Sequence, residues 1–351
     1  MRLLIITQKI SIEDPILGFF HGWVTELAKK FEKISVICLE KGNYDLPENV
    51  KVYSLGKESG KNKIKYIKNF YNLILGLHKD YDSVFVHMNQ EYILLGGFIW
   101  KILRKKVYFW RNHQLGNLFT RIAIWFADKV FCTSKFAFVA KYKKTVLMPV
   151  GINTSIFNLE SRIQNLESGK RRILFLGRMD KIKRPKLLTE ALNILDKKGI
   201  DFVCGFYGDP TPDTGDYYES IKKEVEKSGL KSKINFYKGV VNHETPHIYH
   251  EHGVYVNLTP AGSFDKTILE AAACGCALVI TNTSLSAEID ESMITGPKPE
   301  DVADRIYFWL NAPPALKKEV CQKLTDYVIN NHSLKALTDK LYEQIVCKLL
   351  P

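Results

Sequence analysis

The sequence predicts an α/β protein built from two doubly wound parallel-sheet domains, and three observations carry that reading. The 351-residue chain exceeds one ordinary core and suits two of about 150 residues each. Strand-like runs alternate with amphipathic runs through both halves. The strand-like runs, such as RLLIIT and CALVIT, are continuously apolar, as strands are when helices cover both faces of a parallel sheet.

Taken in order, residues 2–7 read as a buried strand followed by a polar loop to about Pro15. HGWVTELAKKF places Trp23, Val24, Leu27 and Phe31 on one helical face. Strands ISVICL and KVYSL, a lysine-rich helix over 63–79, strand SVFVHM, a helix near 93–104 and strands KVYFW, DKVFCTS and TVLMPV complete the first series. The second series runs RRILFLG, helix PKLLTEALNILDKKG, DFVCGFYG, helix YYESIKKEVEKSG, KINFYKG and a short helix over 245–251. It leads to residues 254–281, read as strand VYVNLT, a turn, helix DKTILEAAAC stopped by Gly275, and strand CALVIT. Polar residues 153–170 hold the expected boundary, giving domains 1–165 and 166–330, with a terminal helical segment over 331–351 that Ser333 is expected to cap.

Composition narrows the function. Hydrophobic residues at 46% and charged residues at 25% exclude disordered, collagen-like and coiled-coil classes. A formal charge of +12 points to an anionic partner, whether a phosphorylated small molecule, an acidic membrane face or nucleic acid. The basic residues follow strand ends and helix positions and form no known nucleic-acid module, so no nucleic-acid partner is expected. The seven cysteines are scattered and odd in number, which fits a reducing, cytoplasmic setting, and the C-x-C at Cys274 and Cys276 is poor zinc spacing. The apolar start of the chain reads as a first strand and not as a signal peptide, and no run reaches the length of a membrane span. Neither G-x-G-x-x-G nor a P-loop motif occurs, so no nicotinamide, flavin or other cofactor is expected, and no metal site.

Two features carry chemistry. FLGRMDKIKRPKLL sets Arg178, Lys181, Lys183, Arg184 and Lys186 between a strand end and a helix start at Pro185, a combination suited to phosphate or diphosphate. Glu270 is the only charged residue between Lys266 and Glu288, on a helix of Ile, Leu, Ala and Cys. A carboxylate is rarely buried without a partner, so something should need it there.

FLGRMDKIKRPKLLTEAL, FYGDP, INFYKGVVNHETPHIYHEHGVYVNLTP and SFDKTILEAAACGCALVITN, in that order and spacing, resemble the second half of family 4 retaining glycosyltransferases. VFVHMN, FWRNH, DKVFCTS and PVGINTSIF extend the resemblance more loosely into the first half. It implies a GT-B fold, two Rossmann-like domains facing across a cleft, with the terminal helix returning to the first domain. It implies metal-independent, hexosyltransferase-type transfer, with retention, from a nucleotide diphosphate sugar donor to a glycan or lipid-linked acceptor in cell-surface polysaccharide or glycolipid synthesis. Arg178 and Lys183 match the family's diphosphate-binding pair, His113 matches a histidine near the reacting centre, and Glu270 matches the ribose-binding second glutamate of an E-x7-E motif. The first glutamate of that motif is replaced by Gly262. The places after it, which meet sugar and phosphate in the family, carry Ser263, Phe264, Asp265, Lys266, Thr267 and Ile268. Asp265 or the Ser263 hydroxyl is expected either to stand in for the missing carboxylate or, for Asp265, simply to cap the helix. Gly18 and His87 complete the expected substrate-binding set.

Basic-aromatic stretches KNKIKYIKNFYNLILGLHK, FIWKILRKK and KFAFVAKYKK, all in the first domain, add an anionic membrane surface as an expected partner, peripheral on the inner face of the cell membrane. Competing readings are a binding or regulatory protein with a degenerate donor site, a nucleotide-sugar epimerase on the same fold, and a basic nucleic-acid-binding protein.

Overall fold

The structure, a computed structural model, describes residues 1–60, 62–159, 171–262 and 265–346. The chain divides into two compact units, Met1–Gly151 with Leu334–Pro351, and Ile152–Ser333. The expected boundary at 165 lies outside the described residues.

Unit 1 contains β1 (Arg2–Ile10), α1 (Gly18–Ala28), β2 (Lys33–Lys41), β3 (Val50–Ser54), α2 (Lys63–Gly76), β4 (Ser83–His87), α3 (Gln90–Ile102), β5 (Lys106–Trp110), α4 (Leu118–Phe126), β6 (Lys129–Cys132) and β7 (Thr145–Leu147). Its strands form one parallel sheet in the order β3-β2-β1-β4-β5-β6-β7. The alternation of inward residues along β1 separates two apolar layers. Leu3 and Ile5 point to α1, where Phe20, Trp23, Val24 and Leu27 meet Leu334, Leu337 and Leu341 of the last helix, labelled α11 (Leu334–Val346) below. Leu4 and Ile6 point to the opposite layer, covered by Phe70 and Ile74 of α2, Ile93 and Trp100 of α3, and Ala123 and Ile124 of α4. The Tyr108 hydroxyl donates to the Ile345 carbonyl at 3.0 Å and Lys129 Nζ to the Gln344 carbonyl at 2.8 Å, tying α11 to β5 and β6.

Unit 2 contains β8 (Arg172–Leu176), α5 (Pro185–Lys197), β9 (Val203–Tyr207), α6 (Gly215–Lys227), β10 (Ile234–Tyr237), α7 (Thr245–Glu251), β11 (Val254–Asn257), α8 (Lys266–Ala273), β12 (Ala277–Ile280), α9 (Pro299–Asn311) and α10 (Pro314–His332). Its five parallel strands run β10-β9-β8-β11-β12. Helix α5 packs against α9, and α8 against α10, where Thr325 donates to the Ala272 carbonyl at 2.7 Å. Helices α4, α9 and α10 are elements that the apolar periodicity did not single out.

In both sheets the order reverses direction beside the first strand, between β1 and β4 and between β8 and β11. Ligands of open α/β sheets bind outside the carboxyl ends of strands at such switch points. Each unit therefore offers one.

Candidate functional site

In unit 2 the basic loop leaves β8 and is built around a buried carboxylate that the sequence reading passed over. Asp180 Oδ1 accepts the backbone N–H groups of Ile182 and Lys183, both at 2.9 Å, and Oδ2 lies 3.3 Å from Arg178 Nη2. This folds the loop back on itself, leaving the Arg178 side chain half exposed while Pro185 opens α5. Arg184 takes a left-handed conformation with φ of 53° immediately before α5. That backbone geometry costs an ordinary L-residue about 1 kcal/mol.

The second loop leaves β11 and enters α8. Asp265 caps α8: its side chain accepts from the Thr267 backbone and, at 2.8 Å, from the Thr267 hydroxyl. Its other oxygen accepts from Asn257 Nδ2 at 2.7 Å and Thr259 Oγ1 at 3.3 Å, and forms an ion pair with Lys183. Burial alone would raise the Asp265 carboxyl, but the Lys183 ammonium, Asn257 and Thr267 outweigh it and hold it below the usual carboxylate range. Both oxygens are thus occupied within the protein, so of the two roles open to Asp265 the geometry is that of the helix cap, joined to the anchor of Lys183. Tyr255 Oη donates to Thr267 Oγ1 at 2.6 Å and extends the network behind the loop. Ile268 is fully buried. Ser263 and Phe264 lie outside the described residues.

Gly262 has φ of 99°, and its N–H donates to Ser284 Oγ at 2.8 Å. An L-side chain is strained at that φ, so in this conformation the position does not accept the family's glutamate without moving the turn.

Glu270 is 2% exposed and has protein partners that the sequence did not reveal. Asn242 Nδ2 donates to Oε1 at 2.9 Å, Lys266 Nζ lies 3.6 Å from the same oxygen, and Tyr249 Oη lies 3.5 Å from Oε2. Burial raises the Glu270 carboxyl, against the pull of Lys266 and Asn242; burial also lowers Lys266, against the pull of Glu270. The Lys266 pair is long, and burial outweighs all three partners, so the charge of Glu270 is held at a cost. Asn242, on the loop after β10, and Asn257, an inward residue of β11, carried no signal beyond a polar residue at the end of an apolar run.

In unit 1 the expected residues separate. His113 lies past the end of β5 and is exposed; its Nδ1 lies 3.0 Å from both the Leu115 N–H and the Leu115 carbonyl oxygen, so either tautomer finds a partner there. His87, also expected in the substrate-binding set, is buried. At 1% exposure it stacks on Phe20 at 4.0 Å between centroids, meets Trp23 edge-on and pairs with Thr7 Oγ1 at 3.3 Å. Burial lowers its pKa to about 3, so the ring is a neutral core group bridging β1 and β4 at their switch point. Gly18 begins α1, where a Cβ would come within 2.8 Å of the Ile12 carbonyl oxygen. Close backbone approach explains that glycine without a ligand.

Comparison with known proteins defines the class first. Anabaena Alr3699/HepE, solved in complex with UDP, superposes with a TM-score of 0.77 at 15% identity over 99% of this chain and 100% of that one. A glycosyltransferase from Rickettsia africae gives a TM-score of 0.76 at 17% identity over 98% of each chain. These likenesses show the GT-B fold. The family described as glycosyl transferases group 1 matches residues 157–330, just under half of the chain, a segment that holds Arg178, Lys183 and Glu270. Among curated relatives, D-inositol 3-phosphate glycosyltransferase of Paenarthrobacter aurescens is 27% identical over 170 residues, 45% of this chain and 41% of the relative. The α-1,3/1,6-mannosyltransferase ALG2 of Mus musculus is 25% identical over 253 residues, 64% of this chain and 59% of the relative. The chain thus aligns with about half the length of these relatives. The resemblance to family 4 glycosyltransferases is borne out.

Proposed function

We propose that the protein is a retaining, metal-independent glycosyltransferase that moves a hexose from a nucleotide diphosphate sugar to a hydroxyl of a glycan or lipid-linked acceptor, in cell-surface polysaccharide or glycolipid synthesis. The observation that carries this reading is the convergence at the β8–β11 switch point of unit 2 of a half-exposed Arg178, the Asp265-anchored Lys183 and the buried carboxylate of Glu270. The two cations and the start of α5 meet the diphosphate, and the buried carboxylate of Glu270 accepts from the ribose hydroxyls. A uridine diphosphate donor is the first to test, since the Alr3699/HepE structures contain UDP and UDP-glucose.

Front-face displacement suits this set of residues. The bond between the anomeric carbon and the diphosphate oxygen breaks as Arg178 and Lys183 stabilise the departing charge. The acceptor hydroxyl then bonds to the same face, its proton passing to the leaving phosphate. His113, on the exposed loop past β5, is assigned to the sugar side of the reaction, and Gly18, at the start of α1, to the substrate-binding set. Anion contact and acceptor both favour peripheral membrane attachment at the cytoplasmic face.

A thermal-shift series with UDP, GDP, ADP and their sugars tests donor binding, because a ligand that binds only the folded state raises its apparent stability. The Arg178→Ala/Lys183→Ala double variant is expected to lose about two orders of magnitude or more in turnover with the best donor. Near-normal turnover in that variant overturns the assignment of the diphosphate site. Donor binding without transfer or hydrolysis favours the alternative of a binding or regulatory protein.

A further inference from the structure

Helix α4, LFTRIAIWF, is apolar on both sides, although only one side is covered. Ala123 and Ile124 face the sheet, while Leu118, Phe119, Ile122 and Trp125 are exposed, with Trp125 at 64%. Helix α3 packs beside it, Gly97 lying against Phe126, and adds exposed Phe98 and Ile102. Soluble surfaces rarely expose so many large apolar side chains together. Around them the charge has one sign. Helices α2, α3 and α4 carry Lys63, Lys65, Lys68, Lys101 and Arg121, all exposed, against the single carboxylate of Glu91. Lys101 Nζ sits 4.0 Å from the Trp125 ring centroid, placing a cation at the edge of the apolar face.

We infer that the outer face of α3 and α4 docks on an anionic lipid bilayer, with Leu118, Phe119, Ile122 and Trp125 entering the boundary between headgroups and acyl chains and the cations holding the anionic headgroups. Apolar insertion combined with basic attraction is the balance that keeps an interfacial helix on a membrane surface. No helix among the described residues is long and apolar enough to cross a membrane, so the contact is interfacial. The inference deepens the proposed function, and rests on it only for the acceptor: the loop carrying His113 runs directly into α4, so docking holds that loop beside a lipid-linked acceptor.

Trp125 makes the test direct. Of the five tryptophans, Trp23, Trp100, Trp110 and Trp309 are at most 2% exposed, so a change in emission on adding lipid reports on this face. The full chain is mixed with phosphatidylcholine vesicles, with or without phosphatidylglycerol, and with brominated acyl chains as quencher. Expected are co-sedimentation that requires phosphatidylglycerol and weakens with salt, and quenching of Trp125. The Phe119→Glu/Trp125→Glu variant should lose about tenfold or more in partitioning. Trp125→Phe should keep most of the partitioning and lose the quenching signal. Equal binding to neutral vesicles, sedimentation without Trp125 quenching, or burial of the face in a dimer that the double variant dissociates would each overturn the proposal. Nucleotide thermal shifts on the same variants separate the two readings. If they persist while vesicle binding is absent in the wild type, only the docking surface fails; if the wild type shows no shift, the donor-site reading fails independently.

Discussion

Two carboxylates nine-tenths or more buried sit at α8, Asp265 as its cap and Glu270 within it, and their environments push them apart. Asp265 is held below the usual range because Lys183, Asn257 and Thr267 outweigh its burial; its charge therefore stabilises the fold at neutral pH and ceases to do so only as pH falls through its depressed value. The Asp265→Ala variant should lose about 2–4 kcal/mol at pH 7 by chemical denaturation. That gap should begin to close only below about pH 4, where the wild-type carboxyl also protonates. Glu270 behaves in the opposite sense: burial raises it, so its ionisation costs stability as pH rises from the ordinary glutamate value, about 4.3, through the folded one. Glu270→Gln is accordingly expected to be as stable as the wild type or more so at pH 7 without ligand, while its thermal shift with the best nucleotide diphosphate falls by at least half. A wild-type shift in that variant would remove Glu270 from the ribose site. The need for a partner at Glu270 was legible from a lone charge among apolar residues, and so were the cations of the basic loop. Asp180, Asn242 and Asn257 were not, because a polar residue at the end of a strand looks the same whether it faces solvent or a buried network. His87 shows the converse: a histidine at a strand end reads as a ligand contact until the aromatic rings of α1 are found on top of it.

At the level of elements, the strands were the clearest features, because parallel strands buried on both faces carry unbroken apolar runs. Helix α4 was hidden because LFTRIAIWF is a short run rich in β-branched and aromatic residues, which periodicity alone does not separate from a buried strand. Helices α9 and α10 begin at Pro299 and Pro314, the N-terminal position that proline favours, yet their patterns are diluted by charge. Helix α11 is the element whose role depends most on the fold. Leu337 and Leu341 are fully buried among Trp23, Phe31 and the β1–β2 layer of unit 1, more than 300 residues away in sequence. Leu337→Ala and Leu341→Ala should each cost about 2–5 kcal/mol in the unfolding of unit 1. Fragments from limited proteolysis would locate the loss: release of unit 2 peptides first would contradict this packing.

For the whole molecule, the proposed nucleotide chemistry falls in the unit Ile152–Ser333 and the inferred lipid-docking face in the unit formed by Met1–Gly151 with Leu334–Pro351. Hydrogen exchange in the presence of the best nucleotide diphosphate should therefore slow first at residues 178–188 and 265–270, and a gain confined to unit 1 would refute the placement. By itself the sequence determined the α/β class, the order of most strands along the chain, the diphosphate-type loop and the isolated Glu270, because these follow from local periodicity, turn chemistry and the cost of burying a charge. Tertiary structure alone decided that Asp265 caps α8 and anchors Lys183, that His87 is core, that α11 completes unit 1, and that α4 presents an uncovered apolar face. Each of those depends on which residues distant in sequence come to lie within a few ångströms, and local pattern does not encode that.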